Sequence, residues 1–397
     1  MNSHKLASRR DALCSPVLLS LLWFGTTLAG CLMKLPEGKT YCNYIIFKQS
    51  FEHALNGLPL YAYYPAEQID RFLYGIPFTA IIAPFYIFPP FIGMTLWCLA
   101  NSWLLYFAIS KLGLTRNRFA FVIWLCVNEL FTCVIMQQYN IAVAGMVILS
   151  FALIEKKKEF WAALMIVLGT MTKLYGVAGL AFFMFSKRKE VLIKSLIFWF
   201  VIFLVLPMLY TSPHYVLEQY LQWFHTLQDK DCENLFARHT NISLLGMIRK
   251  ASGDSSYSDI WLIITGALIF NAPILRRRQY GNRQFRIHYL CSALLFYVLF
   301  STGTENSGYI AAMIAVCLWY SGTPTRNTTP RLNTILFLFC FIITSLSPTD
   351  IFPSDIRKGY IIPYALKALP CSVIWLKIVW EQLTLDFSNK TKKRGRQ

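Results

Sequence analysis

Apolar runs and short polar clusters alternate along almost the whole length of this chain of 397 residues. Most of the apolar runs are about 15 to 22 residues long, the length that crosses a hydrocarbon core of roughly 30 Å as an α-helix. The polar clusters between them are too short to fold as separate domains. The pattern therefore predicts an all-α, polytopic helical membrane protein with a single integral membrane domain over residues 1–397.

Two polar stretches are long enough to interrupt this pattern. Residues 40–90 are polar and aromatic in their first half and apolar in their second half, where four prolines fall between positions 77 and 90. Because proline interrupts a helix, we expect residues 76–90 to form a re-entrant or interfacial hairpin rather than a crossing. Residues 211–257 form the second polar stretch. We expect both stretches to be loops on the outer face of the membrane, together with a shorter third loop at 347–359.

Charge placement predicts the orientation of the chain. Charged residues make up 15% and apolar residues 56%, against about 25% and roughly 45–50% in soluble domains. The net charge is +18, and the basic residues sit in short clusters beside apolar runs, including Lys5, Arg326 and the tail TKKRGRQ. The positive-inside rule explains this placement, and it predicts about twelve transmembrane or broken segments with both termini cytoplasmic. Nucleic acid is not an expected partner, because no contiguous basic domain exists.

One apolar run, residues 160–185, has basic clusters at both ends and Lys173 in its middle. A single crossing would put one of these clusters on the wrong side, so we predict two short segments that meet near Lys173. Charged groups at membrane depth are costly and are candidates for function by default. Glu129 lies at a similar depth, and we expect it to pair with Lys173, in a functional site or as a structural ion pair.

The first polar stretch carries the residue types of a sugar site. Glu67 and Asp70 lie among several aromatic residues, including Tyr61 and Tyr64. Aromatic faces pack on sugar C–H groups, and carboxylates accept hydroxyl protons. The alternative is that the tyrosines anchor the protein at the membrane interface.

Further polar candidates lie in two other places. The turn that holds Gln138 and Asn140 offers amide donors and acceptors for sugar hydroxyls, or is an ordinary capped turn. The second stretch contains Arg238, His239 and Asn241, which suit a phosphate at the membrane surface. We expect the outer loops, the Gln138 turn, Lys173 and the turn at 302–307 to line one cavity on the outer face.

The glycine-rich motifs that hold nucleotide phosphates are missing from the sequence. No polar segment is long enough to form a nucleotide-binding domain. An enzyme of this composition would therefore take its activated substrate from the membrane, and we expect no cofactor and no metal site.

A series of short motifs resembles glycosyltransferase family 87, whose members have the GT-C membrane fold and use polyprenyl-phosphate-mannose-type donors. The resemblance is good over about residues 40–189 and looser over the remainder. The motifs are NYIIFK at 43–48, ALNGLPLY at 54–61, YP at 64–65, IPFTAIIAPFYIFP at 76–89, QYN at 138–140 and TKLY at 172–175.

The resemblance implies transfer of a hexose, expected to be mannose, from a polyprenyl-phosphate-linked donor to a glycan or glycolipid acceptor, with inversion, on the outer face of the membrane. The short loops and the absence of a eukaryotic signal favour a bacterial chain, whose membrane would be the inner one. In the family, the catalytic base is an aspartate early in the first outer loop. Asn43 occupies that position here, and an amide cannot accept a proton at neutral pH. We therefore expect Asp70, or else Glu67, to be the base, with a diverged reaction or an inactive chain as alternatives.

Two other function classes compete with this interpretation. A transporter or flippase of lipid-linked glycans would place its polar residues at the midplane on broken helices from internal repeats. A polysaccharide polymerase or ligase would also act on polyprenyl-linked glycans at the outer face. Most polar residues fall in the predicted outer loops and the sequence shows no clear repeat, which favours a transferase.

Overall fold

A computed structural model describes residues 11–35, 41–322, 329–349 and 351–387. Every regular element in these residues is a helix, as the apolar pattern predicted. The basic residues Lys5 and Arg326 and the tail TKKRGRQ, on which the predicted orientation partly rests, lie outside the described residues.

The α-helices vary widely in length, and several are interrupted or extended by other helical types. The α-helices are α1 (Pro16–Leu32), α2 (Cys42–Leu55), α3 (Pro77–Tyr86), α4 (Pro90–Lys111), α5 (Arg116–Ile135), α6 (Asn140–Glu155), α7 (Glu159–Thr172), α8 (Lys189–Val205), α9 (Pro213–Asn234), α10 (Leu244–Ser252), α11 (Ile260–Asn271), α12 (Arg283–Leu299), α13 (Tyr309–Gly322), α14 (Pro330–Cys340), α15 (Ser354–Ile356) and α16 (Ala368–Thr384). The 3₁₀ helices are Leu174–Phe185, Leu206–Leu209, Ala272–Leu275, Arg277–Gln279 and Asn306–Gly308, and the π-helices are Phe341–Leu346 and Arg357–Ile361.

The centre of the bundle is formed by α6, α12 and α13. Helix α6 is buried on nearly all sides, and α13 is fully buried from Tyr309 to Trp319. A helix that is apolar all round belongs in the interior, where no face has to meet a polar phase. Around this centre α4 packs on α6, α5 packs on α1 and α13, and α16 packs on α12. The centre therefore supports the turns at the ends of α6 and α13.

Membrane crossing is supported by the length and composition of the helices. Among the described residues, Pro90–Lys111, Arg116–Ile135 and Lys189–Leu209 are each long and apolar enough to span a bilayer. Seven shorter apolar helices accompany them. Helix α8 exposes large apolar side chains such as Ile197, Phe200 and Val201. An exposed apolar surface of this kind is suited to lipid.

The two polar stretches are largely helical. In the first, α2 is followed by an irregular segment, and α3 with its internal Pro84 packs against α2 before Pro90 starts the next helix. In the second, Ser212 and Ser243 cap α9 and α10 by accepting backbone N–H bonds, as serine at an N-cap commonly does. These segments form a layer over one end of the central helices.

The predicted break at Lys173 is confirmed. Helix α7 ends at Thr172, Lys173 has an extended backbone (φ −146°, ψ 115°), and a 3₁₀ helix follows from Leu174. The two segments approach each other closely at Gly169 and Gly176, where a side chain on Gly176 would lie 2.2 Å from the Gly169 carbonyl carbon. The glycine pair therefore allows the chain to turn back on itself beside Lys173.

Replacing Gly176 with alanine should destabilise the fold, because the added methyl meets backbone that cannot move aside. We expect a loss of about 1–3 kcal/mol, typical of overpacking, and a clear drop in the thermal unfolding midpoint in detergent. Gly281→Ala is the control, since a methyl group there meets nothing within 4 Å. Equal unfolding midpoints for Gly176→Ala and Gly281→Ala would contradict the packing role.

Candidate active site

A cavity of about 410 Å³ lies where the two polar stretches meet the turns between central helices. Small-molecule sites typically measure about 300 to 1,000 Å³, so this cavity can hold a sugar. Its wall comes from the start of α2, residues 70–74, the turn before α6, the break at Lys173, α9 with Thr240, and the turn between α12 and α13. A separate cavity of about 60 Å³ lies near Pro348.

Lys173 is the deepest cation in the wall of the large cavity. Its Nζ donates to Asn140 Oδ1 at 2.8 Å, and Asn140 Nδ2 donates to Ser307 Oγ at 2.8 Å. The ammonium also lies 5.2 Å from the ring centre of Tyr74 and 5.3 Å from that of Tyr175, within the range of cation–π attraction. An amide and two aromatic faces thus orient this charge toward the cavity.

Glu305 faces the same space from the turn between α12 and α13. Its Oε2 accepts a hydrogen bond from Gln138 Nε2 at 2.9 Å. Burial raises the pKa of Glu305 above its ordinary value, and the nearby Lys173 ammonium opposes that shift. The other end of the Gln138 amide, Oε1, is buried and has no hydrogen-bond partner among the described residues. A buried acceptor of this kind calls for a donor from a ligand.

An ion-pair cluster joins the first polar stretch to α9 at the rim. Lys230 Nζ lies 3.3 Å from Asp70 Oδ2 and 3.2 Å from Glu233 Oε2, and Arg71 Nη2 lies 2.5 Å from Glu233 Oε1. Burial alone would lower the pKa of Lys230, but the Asp70 and Glu233 carboxylates outweigh it and raise the pKa. A third carboxylate of the wall, Asp231, is exposed and accepts a hydrogen bond from Thr302. The cluster therefore ties α9 to the edge of the cavity.

Asn43 lines the cavity and is held by its amide. Its Nδ2 donates to the Met136 carbonyl at 2.7 Å. An aspartate at this position would place a carboxylate against a carbonyl oxygen, two acceptors with no proton between them. The asparagine therefore suits its surroundings better than the aspartate that the family resemblance implies.

Four of the residues predicted from the sequence meet in this one cavity, namely Asn43, Asp70, Gln138 and Lys173. A fifth, Asn140, lies behind the wall and holds Lys173. None of the described residues of the predicted third outer loop lines this cavity, and Pro348 lines the separate small cavity instead. The expectation that all three loops share one cavity is wrong for the third.

The other candidates of the first stretch lie outside the lining. Glu67 Oε2 is 2.8 Å from His53 Nε2, and neither side chain lines the cavity. The Tyr61 hydroxyl donates to the Tyr74 carbonyl at 2.9 Å. The Tyr64 hydroxyl donates to the Pro59 carbonyl, and its ring packs on His53. In the structure these side chains shape the loop that carries Asp70.

The candidates after α9 also lie outside the large cavity. Arg238 is exposed, and His239 lines the small cavity near Pro348. Asn241 is buried with φ 51°, a left-handed conformation that asparagine tolerates, and its Oδ1 accepts a hydrogen bond from Ser243 Oγ. Asn241 therefore shapes the start of α10.

The predicted pairing of Glu129 with Lys173 is wrong. Glu129 Oε2 instead lies 3.2 Å from Lys367 Nζ, and its Oε1 accepts a hydrogen bond from Ser345 Oγ at 3.0 Å. Lys173 is occupied by Asn140. The partner of Glu129 comes from the chain just before α16, more than 200 residues away, and no local pattern marks it.

Two residues of the wall were not singled out from the sequence. The sequence predicts that the turn at 302–307 lines the cavity, but it does not distinguish Glu305 within that turn. Lys230 lies in a run of charges that is typical of a solvated helix end. The available signal for Glu305 was a carboxylate in a short turn between two predicted membrane helices.

A family model described as Glycosyltransferase family 87 matches residues 72–302, which is more than half of the chain. The matched range contains Gln138, Lys173 and Lys230, begins after Asp70, and ends just before Glu305. No curated protein matches the sequence.

Proposed function

This chain belongs to glycosyltransferase family 87, and from that premise we propose that it moves a hexose, with mannose as the first candidate, from a polyprenyl-phosphate donor to a glycan or glycolipid acceptor. The chain is accordingly a membrane glycosyltransferase. The proposed reaction inverts the anomeric carbon at the outer face of a cell inner membrane.

The observation that carries the proposal is the composition of the large cavity. A half-buried cation, Lys173, faces a space that Asp70, Asp231 and Glu305 also line, with the aromatic side chains of Tyr74 and Tyr175 beside it. Sugar transfer from a lipid phosphate needs a cation for the leaving phosphate, a carboxylate for the acceptor proton and apolar faces for the sugar ring. All three are present within one volume of sugar size.

The route of a lipid-linked donor is supported by α9. Leu217, Leu221 and Phe224 are exposed and share one face of this helix, and Phe224 also lines the cavity. A helix with such a face lies well at a membrane interface. We propose that the lipid chain of the donor reaches the site along this face, with its phosphate at Lys173.

The remaining roles are proposed from the sequence. Asp70, the predicted base, lines the cavity and stays a candidate for that role beside the other carboxylates of the wall. Arg238 is proposed to meet the lipid phosphate at the membrane surface rather than in the cavity, since it is exposed. We propose about twelve crossing or broken segments, with both termini cytoplasmic and the loops at 40–90 and 211–257 outside.

The test is transfer of radiolabelled sugar from polyprenyl-phosphate-mannose, and from other polyprenyl-phosphate sugars, by purified protein in nanodiscs with membrane lipid extract as acceptor. We expect the wild type to transfer from at least one donor. Asn43→Asp should bring no gain, because its carboxylate would face the Met136 carbonyl. Lack of transfer from every donor would contradict the proposal and favour transport or assembly of lipid-linked glycans. Gain of transfer in Asn43→Asp alone would indicate a lapsed site.

A further inference from the structure

Three carboxylates line the cavity, and an inverting transfer needs one of them to accept the acceptor proton. Asn43 is unable to do so, because its amide donates to the Met136 carbonyl. The choice of the proton acceptor rests on the proposed function. The contacts of each carboxylate indicate which of the three accepts the proton.

Asp70 is already engaged on two sides. Its Oδ1 accepts the backbone N–H of Arg71 at 2.8 Å, and its Oδ2 lies 3.3 Å from Lys230 Nζ. Lys230 is held in turn by Glu233. A carboxylate that neutralises a neighbouring ammonium is a poor proton acceptor, because protonation would remove one of the carboxylates that hold that ammonium. Asp70 therefore fits a role in fastening α9 to the first polar stretch.

Asp231 is a poorer fit still. The side chain of Asp231 is exposed to solvent, where water can take up the acceptor proton without the help of a carboxylate. Asp231 also accepts a hydrogen bond from Thr302. Its position at the end of α9 places it beside the rim cluster. Asp231 therefore joins the turn between α12 and α13 to α9, as Asp70 joins the first polar stretch to α9.

Glu305 differs from both. Its carboxylate accepts hydrogen bonds from two neutral side chains, the Gln138 amide and the Ser307 hydroxyl, and it forms no salt bridge within 4 Å with a described residue, although the Lys173 ammonium is near enough to stabilise its charge. Gln138 lines the cavity, and its Oε1 is buried without a hydrogen-bond partner among the described residues. A polyhydroxyl acceptor can donate one hydroxyl to Glu305 and a neighbouring one to Gln138 Oε1. The two side chains together thus provide acceptors for two adjacent hydroxyls.

We propose that Glu305 is the catalytic base of this enzyme and that Gln138 positions both Glu305 and the acceptor. The acceptor oxygen forms a bond to C1 of the sugar as the bond from C1 to the phosphate oxygen breaks. The electron pair of the breaking bond leaves with the lipid phosphate beside Lys173, and the hydroxyl proton passes to the Glu305 carboxylate. Release of that proton to water through the open rim restores the site.

The surroundings of Glu305 favour this chemistry. Burial raises the pKa of Glu305, which brings a glutamate closer to the neutral range where a general base works best. The charged and titratable groups that act on it are Lys173, Tyr175, Tyr74, Cys133, Asp70 and Lys230. Since the base must be ionised, transfer should fall as the pH drops through a pKa that is higher than that of a free glutamate.

The test compares Glu305→Gln, Glu305→Asp, Glu305→Ala and Asp70→Asn in nanodiscs, with the exposed Glu218→Gln on α9 as the matched control. Glutamine keeps an oxygen for Gln138, so the fold should hold. We expect Glu305→Gln to lower kcat at least about 100-fold, the lower end for a general base, with donor binding unchanged. Glu305→Asp should keep a reduced kcat, and its rate should still fall at acid pH. The kcat of Asp70→Asn should fall much less than that of Glu305→Gln.

Azide provides the second measurement. It attacks C1 without losing a proton, so it should restore donor turnover in Glu305→Ala and yield a glycosyl azide of inverted configuration. No azide product from Glu305→Ala, or kcat in Glu305→Gln within about threefold of wild type, would overturn the assignment. Collapse of Asp70→Asn with Glu305→Gln still active would assign the base to Asp70. A wild type that transfers from no donor overturns the proposed function itself, and the base with it.

Discussion

Replacing Lys173 with methionine should lower sugar turnover about 100- to 1,000-fold, the cost of removing one preorganised charge partner from an active site. The Lys173 ammonium is held by Asn140 at 2.8 Å and lies over the rings of Tyr74 and Tyr175. The ammonium is therefore in place before the phosphate leaves. No side chain has to move when negative charge develops on the phosphate. Methionine keeps the length of the side chain but cannot offset that charge.

The measurement is kcat for sugar transfer by the purified variant in nanodiscs, beside its unfolding midpoint. Because the charge on the phosphate grows in the transition state, the loss should appear mainly in kcat and less in KM. Lys156→Met is the control, since Lys156 is an exposed lysine between α6 and α7. A Lys173→Met protein that folds and keeps its turnover within about twofold of wild type would remove Lys173 from the mechanism.

The second large effect should be on stability. Lys367→Met should destabilise the protein by about 3–5 kcal/mol, because it leaves the Glu129 carboxylate buried without its cation. The side chains of Glu129 and Lys367 are 1% and 3% exposed and lie 3.2 Å apart. Lys367 also donates to the Asn306 carbonyl and lies over the ring of Tyr309, so it ties the start of α16 to the turn that carries Glu305.

A double-mutant cycle measures the coupling free energy between Glu129 and Lys367 separately from the other contacts that each variant loses. Glu129→Gln alone should also destabilise, since it leaves Lys367 unpaired, while Glu129→Gln with Lys367→Met should recover most of the loss because neither charge remains. The exposed Lys358→Met is the control. Unfolding midpoints in detergent provide the comparison. Additive losses in the double variant would show that the two side chains are not energetically coupled.

The membrane character, the helical class, the family and the break at Lys173 could all be predicted from the sequence. Each follows from features carried by neighbouring residues, namely the length of an apolar run, the basic residues at its ends, or the order of short motifs. The same kind of evidence led to Asp70 and Gln138, which lie in polar segments between apolar runs, and to Lys173, a charge in the middle of an apolar run. These residues now line one cavity.

The partners of these side chains could not be predicted in the same way. Glu129 meets Lys367 rather than Lys173, and Glu67 turns to His53 rather than to the cavity. In both cases the decision depends on how helices from distant parts of the chain pack, which no local pattern records. The same holds for Asn43, whose amide is explained by the carbonyl of Met136 at the end of α5.

The sequence by itself determined that apolar helices would form, roughly where they would end, and which family they belong to, because helix formation and membrane insertion depend on residues adjacent in the chain. The tertiary structure alone decided which carboxylates enter the site, which of them form ion pairs, and that Glu305 accepts a hydrogen bond from Gln138 in the cavity wall. The physical reason is that a polar turn costs little wherever it meets water, so its role becomes visible only when packing buries it against a cavity.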